Sequence, residues 1–501
     1  MTKHAARIAL CCLAAALCVV PAFAAEVLPL ITQGPDAEKR IANTAATFEM
    51  VSAFASADAA AYNVQIPAAD LDALRAEVPN DGPLLIGTNA PVDFTFRPSL
   101  KGQRFGTTVT HGDTMVWTGT FRSEGASAVR LRLDNVDLPK GSELYVFGEH
   151  GHVFGPYTNG DVHDASGVLW TNSIPGESLS LQFHMPVDSM RAARRGQSPF
   201  SVGELAHIGD RFAFAPQTEE KAFCAWNDSC IRNASCENIP NAVQPLENAV
   251  AYLLYTVGNG TYLCTGGLLN DTANSGTPYL LTANHCFDTQ NSASSLEAYF
   301  DWTVGCGSSC GTQYFPPGSV SVVNGSTLLA TSSNTDFTMV QLSSAAPAGS
   351  TFMGWTTSPV AFSSGTNLYR LSHPAGSPQA YSEQSVNTSA GTCNTLPRGD
   401  FIYSDATLGD TEGGSSGSVV VNSSGQVVGQ LFGACGASPS TTCDNDDRTV
   451  DGAFAVTFSS VSQWLDPGSG PTCGNAGDSC SSNSDCCSNK CRGRRGNKTC
   501  R

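Results

Sequence analysis

Alternating apolar and polar residues predict β-strands in the first half of the chain. In the stretch "AVRLRL", Val129, Leu131 and Leu133 alternate with Arg130 and Arg132. "SLSLQFHM" has the same spacing, and "ELYVFG" adds a short apolar run after turn residues. A period of two buries one face of a strand. Short strands with frequent turns predict a β-sandwich here.

The second half of the chain, residues 222–467, also has the pattern of short strands. The runs "AYLLYTV", "PYLLTAN", "FTMVQL" and "GQVVGQLF" are apolar and are separated by Gly-rich turns. Such a pattern predicts β-barrels or sandwiches. Helical periodicity is almost absent until "SSVSQWLDP", which predicts a closing helix that ends before Pro467. "GSGPT", residues 468–472, has the composition of a linker.

The first residues have the pattern of an export signal. Lys3 and Arg7 precede a short apolar core, and "AFA" at 22–24 supplies small residues around a cleavage site. This pattern predicts a signal peptide over residues 1–24. A membrane anchor is the alternative, but the apolar run is short and no stop-transfer pattern follows. We therefore predict a secreted, extracellular protein without a transmembrane anchor.

The composition supports export and excludes one class of partner. The chain has 501 residues, 41% of them hydrophobic and 14% charged, as in globular domains. A net charge of −17 argues against a nucleic-acid partner. Of 19 cysteines, three lie in the signal segment and the remaining 16 begin at Cys224. This distribution predicts disulfides in an oxidising compartment and a domain boundary near residue 220.

The last segment, residues 473–501, has the cysteine spacing C-x6-C-x5-CC-x3-C-x8-C. It is too short for a sufficient core, so three disulfides must hold its fold. Spacing alone leaves the pairing open. The pattern resembles inhibitor cystine knots, and the resemblance implies the pairs Cys473–Cys487, Cys480–Cys491 and Cys486–Cys500. Its excess of basic residues suits either an anchor for anionic surfaces or a solvated, protease-resistant tail.

Three stretches within 222–467 carry residues suited to covalent catalysis. His285 ends the strand of "LLTANHCFD", and Asp336 begins the strand of "NTDFTMVQL". A serine stands in the Gly-rich turn of "GGSSGSVVV". Each residue alone is more often structural. Together they supply a nucleophile, a base and an orienting carboxylate, in the order His, Asp, Ser of one protease architecture.

These stretches resemble the chymotrypsin-like serine endopeptidases, and more closely the bacterial lysyl endopeptidases. The shared motifs are "CTG-L-N-TAN" from Cys264, "TDFT" around Asp336, "TE-GSSGS" and the ending "WLDP". The resemblance implies two six-stranded β-barrels with the active site in the cleft between them. It also implies a precursor with a signal and a long propeptide, which fits the cysteine-free residues 25–216. The fold class expected for the chain is therefore all-β.

The resemblance also assigns roles to individual residues. Ser416 would be the nucleophile and His285 the general base. Asp336 would fix the imidazole tautomer and stabilise the imidazolium. The backbone N–H groups of Gly414 and Ser416 would form the oxyanion hole.

Two neighbouring serines, Ser415 and Ser418, are competing nucleophile candidates, but the motif G-x-S-G aligns only on Ser416. Most chymotrypsin-like enzymes carry an Asp where Ser415 stands, and that Asp pairs with the new N-terminal amine on activation. Ser415 cannot form this ion pair, a feature that lysyl endopeptidases share. We therefore hypothesise that activation relieves inhibition by residues 26–216, after a cut within 191–221.

The substrate preference depends on where a pocket carboxylate lies, because a basic side chain in a buried pocket needs one to offset its desolvation. Asp410 stands where trypsin-like enzymes place it. Lysyl endopeptidases take it from a later segment, here "CDNDDRTVDG", whose aligned position is Thr449. This acidic segment is alternatively a solvated loop or a weak calcium site. We predict a Lys/Arg preference through Asp410, with Phe432, where lysyl endopeptidases carry a histidine, and Gly433 also binding substrate.

The resemblance implies one disulfide among the ten cysteines of residues 222–467, Cys264–Cys286. The other pairings stay open. We expect Cys224 to reach Cys435 or Cys443, and Cys230 or Cys236 to reach Cys306 or Cys310. A free catalytic cysteine is disfavoured, because no cysteine stands beside a second histidine in the required context.

No HExxH motif, phosphate loop or dinucleotide fingerprint is present, so we predict no metal and no cofactor. The main interpretation is a secreted serine endopeptidase acting on proteins or peptides, with its own propeptide as inhibitor or folding aid. The rival is a catalytically inactive homologue that binds a surface outside the cell. A further option makes the first domain a permanent adhesion module.

Overall fold

The structure is a computed structural model, and it is mostly β. It describes residues 26–28, 30–31, 45–55, 60–75, 83–98, 105–162, 166–189, 198–209, 229–307, 320–389, 391–393, 396–436, 443, 448–469, 490–494 and 497–500. The predicted signal peptide at 1–24 lies outside these residues. The helices described are α1 Ala45–Ser52, α2 Ala68–Arg75, α3 Gln290–Ser294 and α4 Phe454–Leu465. Short 3-10 turns span Asn159–Asp161, Ala234–Cys236, Gln244–Asn248, Pro374–Gly376 and Pro467–Ser469.

The first half of the chain forms a short arm and a two-sheet sandwich. The arm contains β1 Glu26–Val27 and β2 Leu30–Ile31. The sandwich contains β3 Tyr62–Asn63, β4 Leu84–Thr95, β5 Thr107–His111, β6 Thr114–Arg122, β7 Ala128–Asp134, β8 Glu143–Phe147, β9 Val153–Tyr157, β10 Leu169–Trp170, β11 Ile174–Pro175, β12 Ser178–Pro186 and β13 Ser201–Ile208. One sheet has the order β3-β6-β12-β8-β9, and the other contains β10-β7-β13-β4. The strands predicted from the sequence pattern are β7 and β12, from alternation, and β8, from its apolar run.

An aromatic core lies between these two sheets. The rings of Phe94 in β4 and Trp117 in β6 stack with centroids 5.2 Å apart. Phe183 of β12 is fully buried beside them. The alternation in β12 thus has the predicted cause, because every second side chain enters this core.

The first barrel follows the sandwich. After β14 Arg232–Asn233 it contains β15 Val250–Val257, β16 Gly260–Leu269, β17 Tyr279–Ala283, β18 Glu297–Phe300, β19 Ser321–Asn324, β20 Ser326–Ser332 and β21 Phe337–Leu342. The strands pair in the order β19-β18-β15-β16-β17-β21-β20. Gly325, at a positive φ of 80°, separates β19 from β20. These two segments are therefore halves of one bent strand, and the barrel is nearly closed.

The second barrel is a closed ring of six strands. After the short strands β22 Thr351–Phe352 and β23 Trp355–Thr356, it contains β24 Asn367–Ser372, β25 Ala380–Val386, β26 Phe401–Leu408, β27 Val419–Asn422, β28 Val427–Cys435 and β29 Arg448–Ala453. The pairs β24–β25, β25–β26, β26–β29, β29–β28, β28–β27 and β27–β24 close it. The predicted closing helix is α4. The all-β fold with two barrels is therefore confirmed.

Four disulfides join described cysteines: Cys230–Cys443, Cys236–Cys306, Cys264–Cys286 and Cys393–Cys435. Cys264–Cys286 is the pair that the resemblance implies. The expectation for Cys224 is wrong, because both of its expected partners are bonded to other cysteines. No periodicity or spacing signal pointed to Cys393.

The C-terminal segment is described only in part, by the hairpin β30 Cys491–Arg494 and β31 Asn497–Cys500. Cys491 is disulfide-bonded. Of the other cysteines of the predicted knot, Cys500 ends β31, whereas Cys473, Cys480, Cys486 and Cys487 lie outside the described residues. No helix in the described part of the chain combines the length and apolar character needed to cross a bilayer.

A buried ion pair lies inside the second barrel. Arg370 Nη2 in β24 lies 2.6 Å from Asp451 Oδ1 in β29, and both side chains are fully buried. Arg370 also donates to the carbonyl and hydroxyl oxygens of Ser418, each at 3.0 Å. Burial raises the pKa of the Asp451 carboxyl, and the neighbouring guanidinium opposes this shift. Asp451, one of the four acids in "CDNDDRTVDG", is thus held by Arg370.

Replacing Asp451 should strongly destabilise the protein. Asp451→Ala leaves the Arg370 cation buried without a counter-charge, at a cost of about 3–5 kcal/mol. Urea unfolding followed by tryptophan fluorescence, in a Ser416→Ala background, measures the loss. The control is Arg448→Gln, which breaks a partly exposed contact with Asp405 at 3.8 Å and should cost less than about 1 kcal/mol. Equal unfolding midpoints for the two variants would contradict the prediction.

Candidate active site

His285 and Asp336 meet where two paired strands of the first barrel lie side by side. Ala283, the last residue of β17, is the register partner of Phe337, the first residue of β21. Asp336 Oδ2 lies 2.7 Å from His285 Nδ1, and Oδ1 accepts the backbone N–H of His285 at 2.9 Å. A carboxylate acceptor places the proton on Nδ1. Nε2 is therefore left in the form that can accept a proton.

Asp336 is held by its backbone as well as by its side chain. Its φ is 52°, a left-handed conformation that Asp tolerates better than most residues. Its carbonyl accepts the N–H of Asn284 at 3.0 Å. Gln430 of β28 donates from Nε2 to the carbonyls of Thr335 at 2.6 Å and Asp336 at 3.2 Å. Gln430 of the second barrel thus holds the backbone at Asp336 in the first, a role that sequence reasoning missed.

Ser416 lies in the turn that precedes β27, at the junction of the two barrels. Its carbonyl accepts the N–H of Thr265 in β16 at 2.8 Å. The next residue, Gly417, donates to the carbonyl of Leu431 in β28 at 2.9 Å. Gly417 has a φ of 79°, and a Cβ there would lie 2.1 Å from the hydroxyl of Thr282. The turn is therefore fixed between a strand of each barrel.

His285 and Ser416, the predicted base and nucleophile, are adjacent but do not share a hydrogen bond in this structure. Sγ of Cys286, the residue after His285, lies 3.8 Å from the carbonyl oxygen of Ser416. His285 Nε2 is buried and has no hydrogen-bond partner among the described residues. The ring of Phe432 stands edge-on to the imidazole, with centroids 5.7 Å apart. In enzymes without substrate this bond is often long and tightens when substrate binds.

The turn before Ser416 has free backbone donors. Within the described part of the chain, the N–H groups of Gly414 and Ser416 donate to no backbone carbonyl. Gly414 has a φ of 98°, and a Cβ there would lie 2.8 Å from the carbonyl oxygen of His373 and 3.0 Å from Leu263 Cδ2. Only glycine fits this position. An oxyanion hole requires two N–H groups that make no other hydrogen bond, as these two residues on either side of Ser415 can supply.

His373 is a second residue that sequence reasoning missed, because a lone histidine gives no signal. Its ring is fully buried, and Nδ1 donates to the carbonyl of Ser377 at 2.9 Å. Its backbone N–H donates to Thr265 Oγ1, which in turn donates to the carbonyl of Gly414 at 2.8 Å. Burial lowers the pKa of His373 to about 4, so the ring is neutral at neutral pH. These hydrogen bonds, from His373 through Thr265 to Gly414, hold the backbone of the turn in place.

The hydroxyl groups of the two competing serines are hydrogen-bonded in the protein interior. Both Ser415 and Ser418 are fully buried. Ser415 Oγ accepts hydrogen bonds from Ser372 Oγ at 3.1 Å and from the N–H of Glu412 at 3.3 Å. Ser418 Oγ accepts one from the guanidinium of Arg370. Neither hydroxyl has a described contact with His285.

The predicted substrate-binding residues lie in two places. Asp410 is half-buried, and its Oδ1 accepts the N–H of Thr411 at 2.8 Å. Phe432 and Gly433 lie in β28, where the Phe432 ring stands beside His285 and a Cβ on Gly433 would meet no described atom within 4 Å. Thr449 is the register partner of Ala434 in β28 and is buried. Its side chain carries no charge, so it cannot neutralise a basic substrate group.

One cluster has the residue types of a metal site. The ligand atoms of Cys264, His285 and Cys286 all lie within 4.8 Å of one another. The two cysteines form a disulfide, so neither offers the thiolate that a metal would need. These residues therefore do not fit a resident metal ion.

Sequence comparisons match the chain to a lysyl endopeptidase family model and to two curated relatives. Residues 225–450 match the family described as "Lysyl endopeptidase, C-terminal domain". Over 354 residues the chain is 26% identical to a lysyl endopeptidase from Pseudomonas aeruginosa, covering 68% of this chain and 72% of the relative. It is also 27% identical over 292 residues to "Secreted RxLR effector protein 73" from Plasmopara viticola, covering 56% and 68%. The lysyl endopeptidase matches support a serine-type peptidase.

Similar solved structures are also proteases. The active form of the Rv3671c protease from M. tuberculosis has a TM-score of 0.32 and 16% identity, covering 44% of this chain and 83% of that chain. The HtrA-type protease AlgW with a tripeptide has a TM-score of 0.32 and 17% identity, covering 46% and 64%. TM-scores of this size support no inference about function.

Replacing Gly414 should impair catalysis without unfolding the protein. In Gly414→Ala the new Cβ would press on the His373 carbonyl, so the turn must rotate its N–H groups. We expect kcat for a peptide substrate to fall about 10²–10³-fold, as when an oxyanion donor is lost. The control is Gly413→Ala, where a Cβ meets nothing within 4 Å. Equal kcat values for the two variants would contradict the role given to Gly414.

Proposed function

We propose that this chain is a secreted serine endopeptidase that cleaves peptide bonds through an acyl-enzyme. One observation carries the proposal: the Asp336 carboxylate bonds to both the backbone and Nδ1 of His285, beside a glycine turn that presents Ser416. A histidine with only a structural role needs neither this pair of hydrogen bonds to a carboxylate nor the free N–H groups of Gly414 and Ser416 beside it. The family match over residues 225–450 supports the same class.

The proposed mechanism assigns each step to these residues. Ser416 Oγ attacks the carbonyl carbon of the scissile bond while His285 Nε2 takes its proton. The N–H groups of Gly414 and Ser416 stabilise the oxyanion, and Asp336 stabilises the imidazolium. His285 then protonates the leaving amine as the C–N bond breaks. Water, deprotonated by the same nitrogen, hydrolyses the ester and restores Ser416.

The proposed substrates are proteins and peptides with Lys or Arg before the cleaved bond. The similarity to a lysyl endopeptidase supports a basic side chain at this position. Asp451 is paired with Arg370, and Asp444, Asp446 and Asp447 lie outside the described residues. We assign Asp410 to the substrate because it is half-buried and stands six residues before Ser416, where trypsin-like enzymes place their pocket carboxylate. Phe432 and Gly433 would form the side of the site next to His285.

The proposed enzyme is made as a precursor and exported. The segment at 1–24 would direct secretion, and residues 25–216 would act as a propeptide. A cut within 191–221 would separate this propeptide from the barrels. The basic segment at 473–501, as a cystine knot, would bind anionic surfaces.

One observation favours a second candidate. His285 Nε2 has no hydrogen bond to Ser416 Oγ in this structure. A catalytically inactive homologue that binds a surface would also tolerate this geometry. Covalent labelling distinguishes the two, because only an activated serine reacts with a fluorophosphonate.

Labelling should depend on Ser416 alone. The processed wild-type protein is expected to react with a fluorophosphonate probe, and Ser416→Ala should abolish the reaction because the nucleophile is gone. Ser415→Ala is the matched control, since its hydroxyl bonds only to Ser372 and Glu412 among the described contacts. Mass spectrometry of the labelled peptide identifies the modified residue. An unlabelled wild-type protein would favour the inactive homologue.

Substrate preference should depend on Asp410. Asp410→Ala removes the carboxylate that would pair with a substrate cation, so kcat/KM for peptides with Lys or Arg should fall about 10²–10³-fold. Peptides with a large apolar residue at the same position are the internal control and should change little. A peptide panel gives both values. Cleavage after apolar residues, unchanged in the variant, would contradict the assignment.

A further inference from the structure

The turn formed by Thr335 and Asp336 belongs to the first barrel but packs against the second. Both residues are buried, and they immediately precede β21. The backbone of Gly452 in β29 lies so close to this turn that a Cβ there would overlap the carbonyl oxygen of Thr335. The two barrels are therefore in direct backbone contact beside the candidate orienting carboxylate.

Two buried side chains bind the same turn. Gln430 in β28 donates from Nε2 to the carbonyl oxygens of Thr335 at 2.6 Å and Asp336 at 3.2 Å. The hydroxyl of Thr457 in α4 shares a hydrogen bond of 2.7 Å with the hydroxyl of Thr335. We call Gln430, Gly452 and Thr457 the Asp336 socket. A strand pair of the second barrel and the closing helix thus hold one turn of the first barrel.

The strand that carries Gln430 also holds the turn of the candidate nucleophile. Leu431, the next residue of β28, accepts the N–H of Gly417 on its carbonyl at 2.9 Å. Gly417 directly follows Ser416, and β28 pairs with β27 from there onward. The side chain of Gln430 therefore binds Asp336, while its strand binds the turn of Ser416. The spacing between these two parts of the site depends on Gln430.

The backbone at Asp336 controls where its carboxylate lies. Both carboxylate oxygens bond to His285, one to the backbone N–H and one to Nδ1. A short side chain follows its backbone closely, so a rotation of this turn would break both bonds. Asp336 has a φ of 52°, a left-handed conformation that persists only where the surroundings fix it. The socket supplies the bonds that do so.

We propose that the Asp336 socket is a positioning device for catalysis and that Gln430 is its main positioning residue. Its amide keeps the Asp336 carboxylate in reach of His285, at a spacing that matches the turn of Ser416. Gln430 contacts neither the substrate nor the reacting atoms in this mechanism. The inference rests on the proposed function, which it deepens by adding residues that act through Asp336.

Replacing Gln430 by Met in the full chain tests the device, because Met has a similar length but no donor. We expect kcat for the fluorogenic peptide that the wild-type protein cleaves fastest to fall about 10²-fold, since a small misplacement of a catalytic group has this cost. KM should change little, and the rate of fluorophosphonate labelling should fall in parallel with kcat.

Gln384→Met is the matched control. Gln384 is also buried in the second barrel, and its amide donates to Ser382 Oγ at 2.7 Å, away from the Asp336 socket. The same substitution there should leave kcat and the labelling rate near the wild-type values. Urea unfolding of both variants shows how much stability each loses, so that an effect on folding is separated from an effect on catalysis.

Proton NMR gives a readout that needs no activity. The Nδ1 proton of His285, held in a short bond to a carboxylate, should give a resonance far downfield that is absent in His285→Ala. In a Ser416→Ala background, we expect Gln430→Met to move this resonance upfield or to broaden it. Gln384→Met should leave it in place. A residue that only stabilises the fold would not affect the bond in the folded protein.

Thr457 provides a second pair of variants, which also serves if Gln430→Met does not fold. Thr457→Val removes the hydroxyl that bonds to Thr335, and kcat should fall about tenfold, as expected for one lost hydrogen bond. Thr457→Ser keeps the hydroxyl and should restore most of the activity.

Three results would overturn the inference: equal kcat values for Gln430→Met and Gln384→Met, a downfield resonance unchanged in Gln430→Met, or equal kcat values for the two Thr457 variants. Failure of the proposed function is recognised separately, as a wild-type protein that neither cleaves peptides nor reacts with a fluorophosphonate. The resonance in the Ser416→Ala chain would then still decide whether the socket positions Asp336.

Discussion

The hydrogen-bonding edge of β16 is the constraint on which the candidate site depends. The strand holds β4, the turn of Ser416 and β17 in one register, and β17 leads directly to His285. Thr265, in the middle of the strand, bonds to both Ser416 and Gly414. A slip of one residue would turn every side chain of β16 to the opposite face. The serine turn and the histidine would then lose their common support.

The second barrel contributes more to the candidate site than the turn that carries Ser416. Gln430 reaches into the first barrel and bonds to the backbone at Asp336, so the orienting carboxylate depends on both barrels. Arg370 anchors Ser418, just beyond the nucleophile, through a guanidinium whose charge Asp451 balances. The two Gln430 bonds fix the position of one barrel relative to the other more narrowly than apolar packing alone, because hydrogen bonds have strict geometry.

Sequence periodicity predicted the β-strands, because a half-buried strand leaves a local signal, whereas the two barrels were implied only by the family resemblance. It failed where burial comes from another domain. In "AVRLRL" the alternation places Arg130 and Arg132 on a face expected to meet water, yet Arg130 is fully buried against the first barrel. The resemblance supplied the candidate triad from short motifs. It could not supply His373 or Gln430, whose roles depend on contacts far along the chain.

The same residue that breaks the pattern shows how the sandwich recognises the first barrel. Arg130 lies 3.3 Å from Glu297 of β18, and both side chains are fully buried. A buried ion pair contributes little net stability compared with apolar residues of the same size, but it strongly penalises a partner that lacks the opposite charge. Arg130 and Glu297 therefore select the correct docking, while an apolar cluster that joins Ile86 of the sandwich to Tyr252 of the first barrel is buried at the same junction. An interface made only of apolar side chains would lack this selectivity, because apolar burial is not directional.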